Sequence, residues 1–169
     1  MTDNISAIVY TSGTGFTRRY AQLLGEQTGL PIYDIKAPGG PAKGVPVLYL
    51  GWLCAGTLKG LKTALSRWSV RAVCAVGLGT EESNRPERLA PTLHLPDGAS
   101  LFYLRGGFAP EAQKGPMKLV IGMMRKGLED KPPEDADGRV MLEAFRDGGD
   151  WVRAENLEPV LTYLNGGGV

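Results

Sequence analysis

Residues that carry chemistry without a cofactor are scarce in this chain of 169 residues. Histidine occurs once, as His94, and cysteine twice, as Cys54 and Cys74. That leaves a zinc site or a His-based triad little to build on. Two cysteines do not make a disulfide framework. No apolar run approaches the ~20 residues needed to cross a bilayer. The opening "MTDNIS" lacks the charged and apolar parts of a signal peptide, so a cytoplasmic protein is expected. Charge of one sign is missing too: 19 Lys and Arg face 18 Asp and Glu, which leaves no strong field to attract nucleic acid. If the protein is an enzyme, a cofactor is expected to carry the reaction.

What is present is an ordinary globular composition, 43% hydrophobic and 22% charged. The length suits one domain, residues 1–169, with a core of its own. Apolar runs of strand length alternate with segments of helical period. "SAIVY" (6–10) predicts a first strand, and Phe16, Tyr20, Leu23 and Leu24 mark a helix that Gly29 and Pro31 end. "PIYDI" (31–35), "VPVLYLGWL" (45–53), "RAVCAVGLG" (71–79) and "SLFYLRGGF" (100–108) predict four more strands. Leu58, Leu61, Leu65 and Trp68 follow helical spacing, as do Met117, Val120, Ile121, Met124 and Leu128. Glu81 and Glu82 suit the first turn of a short helix. "EDKPPEDADG" (129–138) reads as a polar loop, and Leu157, Val160, Leu161 and Leu164 lie on a last helix. Four of the five strands are almost continuously apolar, the pattern of a parallel sheet covered on both faces. Ligands of such sheets bind outside the carboxyl ends of the strands, where the strand order reverses.

The junction after the first strand reads "YTSGTGFTRR" (10–19). It has no Gly-Lys-Ser/Thr ending, so it is not a Walker loop. Gly13 and Gly15 supply two glycines of a dinucleotide fingerprint, but Arg18 stands in the third place. What remains is a hydroxyl-rich loop on a helix N-terminus. There Ser12, Thr14 and Thr17, with Thr11 before them, and free backbone N–H groups suit a phosphate. The plainer alternative is a capping turn, for which one hydroxyl would suffice.

Ser12-Gly13-Thr14-Gly15-Phe16-Thr17 resembles the flavodoxin phosphate loop, Thr/Ser-x-Thr-Gly-x-Thr. "YLGWLCAGTLKGLKTAL" looks like the strand-3 exit loop that covers a flavin ring, and "LFYLRGGF" like the fifth strand of the same superfamily. The tail from "MMRKGLED" to "LTYL" is similar to a flavodoxin-domain subgroup related to menaquinone-dependent protoporphyrinogen oxidases. The resemblance spans nearly the whole chain. It implies an α/β, flavodoxin-like doubly wound sheet of five parallel strands in the order 2-1-3-4-5, with helices on both faces. It implies FMN, anchored by Thr11 to Thr17, Gly15 and Phe16 included. Trp52 would stack on the ring, beside Leu53, Cys54, Ala55 and Gly56, with Gly56 free to flip its peptide near flavin N5. Gly77, Gly79 and Thr80 would approach the other side, where many flavodoxins carry an aromatic that this sequence lacks. That side is expected to be more open or apolar.

Blander roles stand beside these. Trp52 suits a core equally well, Cys74 reads as core, and Cys54 shows no basic neighbour that would activate it. Arg18 and Arg19 read as a solvated face, His94 as a surface or structural residue, and Met117, Met123 and Met124 as core packing. The expected function is an FMN-dependent redox protein, its acceptor a partner protein or a small molecule such as a quinone. The alternatives are a quinone-linked dehydrogenase of the protoporphyrinogen oxidase kind and a cofactor-free interaction module. A phosphoacceptor domain would need an acidic cluster where strand 1 ends in Tyr10-Thr11.

Overall fold

Ile8 and Tyr10 point to one side of the first strand and Ala7 and Val9 to the other, and all four are buried. A strand apolar on both sides must lie inside a covered sheet. The computed structural model describes residues 4–166 and places this strand, β1 (Ala7–Tyr10), near the centre of one. Its neighbours are β2 (Ile32–Asp34) and β3 (Pro46–Cys54), both parallel to it. Beyond β3 lie β5 (Ser69–Gly77) and then β6 (Ser100–Arg105), again parallel. The parallel path is β2-β1-β3-β5-β6.

The sheet has six strands rather than the expected five in the order 2-1-3-4-5. The addition is β4 (Thr57–Leu58), a two-residue strand antiparallel to the end of β3. Leu58, expected on a helix, belongs to this hairpin. Its tight turn is made by Ala55 and Gly56, at φ 49° and 77°. Gly60, at φ 78°, then resets the chain, and α2 (Leu61–Arg67) starts only after it.

One face of the sheet is covered by α1 (Phe16–Thr28) and α6 (Glu158–Leu164). Tyr20, Leu24, Leu157 and Val160 pack there on Ile8, Leu48, Leu50 and Leu104. The other face is covered by α2 and α3 (Pro86–Leu93) through Leu61, Ala64 and Leu93. Each fully buried aliphatic contributes about 1.5–3 kcal/mol over its exposed state. Cys74 is fully buried within the first of these layers, and its thiol is pushed up by desolvation. Gly29, left-handed at φ 74°, ends α1 with its N–H on the Gly25 carbonyl. The helix expected at Glu81 begins instead at Pro86, whose ring suits a first turn. Both glutamates stand exposed in the turn before it.

After β6 the chain leaves the sheet. It forms β7 (Gly107–Phe108), a short 3₁₀ turn, α4 (Gly115–Asp130), α5 (Ala136–Asp147) and β8 (Gly149–Asp150). β7 and β8 pair antiparallel and clamp the base of this excursion. Tyr20 Oη donates to the Arg105 carbonyl at 2.5 Å and accepts from Asn156 Nδ2 at 2.8 Å. Arg19 pairs with Asp150 at 2.6 Å, and the Arg105 guanidinium lies 4.0 Å from the centre of the Trp151 ring. The polar loop expected over 129–138 is shorter: α4 runs through Asp130, and Asp135 caps α5 by accepting from the Gly138 N–H. The methionine stripe is not core either. No α4 residue is fully buried, and Met123 and Met124 are exposed. Among the described residues no helix is long and apolar enough to cross a membrane. The expected domain over 1–169 includes residues 1–3 and 167–169, which lie outside the described residues.

Candidate functional site

β1 and β3 are direct neighbours, with Tyr10 opposite Leu50, so their two exit loops emerge side by side. The loop after β1 turns into α1 through Gly15, the N-cap, at φ 106°. No side chain caps this helix, and its first turn holds no carboxylate. The Ser12 hydroxyl accepts from the Gly15 N–H at 3.0 Å, which braces the loop. Acceptance leaves the hydroxyl's own proton free to donate. The hydroxyls are therefore not spent on capping, and the helix's own first turn offers no acidic residue to oppose an anion at its positive end.

The exit of β3 carries Trp52 against this loop. Lys59 Nζ, from beyond the hairpin, lies 5.7 Å from the centre of the Trp52 ring. Gly77 and Leu78 at the end of β5 form the next wall. The excursion closes the far side with Phe108, Met117, Ile121, Met141 and Phe145. Together these surfaces enclose a cavity of about 450 Å³, of the size that holds a small organic ligand.

Ten of the residues expected at the site line this cavity: Ser12, Gly13, Thr14, Phe16, Thr17, Trp52, Leu53, Cys54, Ala55 and Gly77. Five stand outside the lining. Thr11 is buried at the end of β1, its N–H on the Leu50 carbonyl at 3.0 Å. Gly15 starts α1, and Gly56 forms the exposed tip of the β3–β4 hairpin. Gly79 packs on Asn84, while the N–H and hydroxyl of Thr80 both donate to Asp137 Oδ1 at 2.9 Å. Thr80 thus ties the exit of β5 to α5.

The side expected to be open or apolar for want of an aromatic is walled by apolar residues of the excursion. Its methionines give an adaptable, polarisable surface. Lys114, just before α4, is the only charged side chain in the described lining. No sequence motif marked Lys114, Met141 or Phe145, whereas Phe108 closes the stretch "LFYLRGGF". Glu81 and Glu82 line a separate groove with Arg85, which pairs with Glu82.

Two neighbouring carboxyls hold the frame. Burial penalises the charge of Asp137, but hydrogen bonds from Ser83 and Thr80 outweigh it and set the carboxyl below its ordinary range. Burial is likewise outweighed at Asp150 by Arg19 and the Val152 N–H. Arg18 pairs with Asp34 at 3.6 Å, so both arginines of the expected solvated face have carboxylate partners. Among the described residues no three His, Cys, Asp or Glu side chains are grouped to hold a metal ion. No protein-family model, curated protein or solved structure matches the chain, and the site stands on its geometry alone.

Proposed function

We propose that this flavodoxin-like chain binds FMN in the cavity and acts as a redox protein. The observation that carries the reading is the loop at residues 12–17: hydroxyls and glycines at an uncapped helix start, opening into an apolar cavity. A capping turn would have used a hydroxyl on the helix itself; Ser12 instead braces Gly15.

The residues present fit the group. Ser12, Thr14 and Thr17 offer hydroxyl donors for a phosphate, aided by the α1 dipole. Trp52 offers a flat face, and Leu53, Leu78 and Phe108 offer apolar walls that keep water from a ring. Lys114 supplies positive charge and no lining carboxylate opposes it, so the pocket tolerates negative charge gained on reduction. When bound, the flavin supplies the electron or hydride chemistry. The protein's part is to anchor, orient and exclude solvent. Near-neutral net charge argues against long-range steering to a strongly basic partner. The methionine wall favours a flat apolar acceptor, such as a quinone, within the same reading.

The test is a visible spectrum of the purified protein with and without added FMN. Flavin bands that stay with the protein through gel filtration support the reading, and a colourless protein after FMN addition overturns it.

A further inference from the structure

Helix α4 has a composition that its packing does not explain. Leu119 and Met123 are 69% and 68% exposed, and Val120 and Met124 are 46% and 40% exposed. Leu119, Val120 and Met123 fall on adjacent turns of one outward arc, since positions three and four apart share a face. Met117, Ile121 and Leu128 fall on the inner arc, where Ile121 and Leu128 pack with Phe108 and Phe145. The helix is thus apolar on two sides, and among the described residues only one side has a partner.

The helix is also weak by itself. Gly122 and Gly127 lie in its interior, and each costs about 1 kcal/mol against alanine. A helix with no fully buried residue and two interior glycines gains from a surface that covers it. Five cations accompany the segment: Lys114, Lys118, Arg125, Lys126 and Lys131. Its two carboxylates are Glu129, shared by Arg125 and Arg146, and Asp130. The outward arc carries no Trp, Tyr or Arg, the anchors that dominate protein interfaces. Long aliphatics edged by lysines are the composition of a helix that lies in a bilayer interface.

We propose that α4 docks the protein on an anionic lipid bilayer. Leu119, Val120 and Met123 enter the acyl boundary, and Lys118, Lys126 and their neighbours meet the headgroups. Met117, Ile121 and Met124 of the same helix line the cavity, so docking sets one cavity wall against the membrane. The inference goes beyond the flavin reading and does not depend on it.

The experiment is vesicle flotation of the full chain. One set of vesicles is phosphatidylcholine, and the other mixes phosphatidylglycerol into it. The protein is expected to float with the anionic set, less so at high salt, and to stay down with the neutral set. A Leu119→Glu/Met123→Glu double variant should bind at least about tenfold less, as should Lys118→Glu/Lys126→Glu. All four side chains are exposed, so thermal unfolding should match the parent. Failure of the parent to float, or equal flotation of the variants, overturns the proposal. So does a concentration-dependent dimer that the first variant dissolves without any vesicle binding, which would assign the arc to a second copy. FMN titration of the same variants reports separately, so loss of one property is not mistaken for loss of the other.

Discussion

The position a Cβ would take on Gly13 lies 3.5 Å from Cε2 of the Trp52 indole. The hydroxyl loop after β1 and the aromatic near the end of β3 are therefore one continuous surface. A phosphate end and a ring end can be bound together there because two adjacent parallel strands deliver their exits to the same edge. Trp52 is half-buried and does not sit in the core, so its indole is available to the cavity.

Thr14 lines the cavity and is exposed, so its replacement should leave the fold intact. Thr14→Val removes one hydroxyl donor to a charged oxygen, a bond worth about 1.5–3 kcal/mol. FMN affinity should fall about ten- to hundredfold in a fluorescence titration. Unchanged affinity would place the phosphate elsewhere.

Trp52→Ala removes the flat face and leaves the loop. Bound FMN should keep more of its fluorescence, and affinity should weaken by about two- to tenfold, as for loss of one aromatic contact of ~0.5–1.5 kcal/mol. Quenching equal to the parent would mean that Trp52 does not meet the ring.

Ala55 holds φ 49°, a left-handed conformation that costs a residue with a Cβ about 1 kcal/mol. Ala55→Gly should relieve it and raise the melting temperature by roughly 2–4 °C. A lower melting temperature would show that the alanine methyl packs usefully at the cavity edge.

Asp137 should shape acid stability. Its carboxyl lies below the ordinary range in the fold, so it contributes stability that is present above the unfolded value of about 3.9. That contribution is lost as pH falls through the lower folded value. Asp137→Asn keeps an acceptor for Thr80 and removes the charge. Its melting temperature should therefore drop less steeply than the parent's below about pH 4. Identical slopes for the two proteins would exclude Asp137 as a contributor.

The sheet and the loop at residues 12–17 were legible because their signals are local. β1 and β5 are apolar runs, and Gly29 and Pro31 punctuate the end of α1. The excursion's clamp was not. β7 and β8 are two residues each, and Gly107 meets Asp150 across two helices, a pairing without a local period. Leu58 misled because it lies three residues before Leu61, where a hairpin strand and a helix start look alike. The two-residue turn Ala55-Gly56 was the available signal. The α4 stripe misled for another reason: periodicity marks an apolar face but not what covers it. Consequently the cavity's far wall, with Lys114, Met141 and Phe145, came only from tertiary structure.

Titrating the protein into FMN and into riboflavin, which lacks the phosphate, and reading flavin fluorescence decides whether the loop at residues 12–17 anchors a flavin by its phosphate. FMN should be quenched with saturation, and riboflavin should bind at least about tenfold more weakly, because the loop at residues 12–17 has no phosphate to hold. No quenching of FMN, or equal affinity for the two flavins, would mean that this loop does not hold a flavin phosphate.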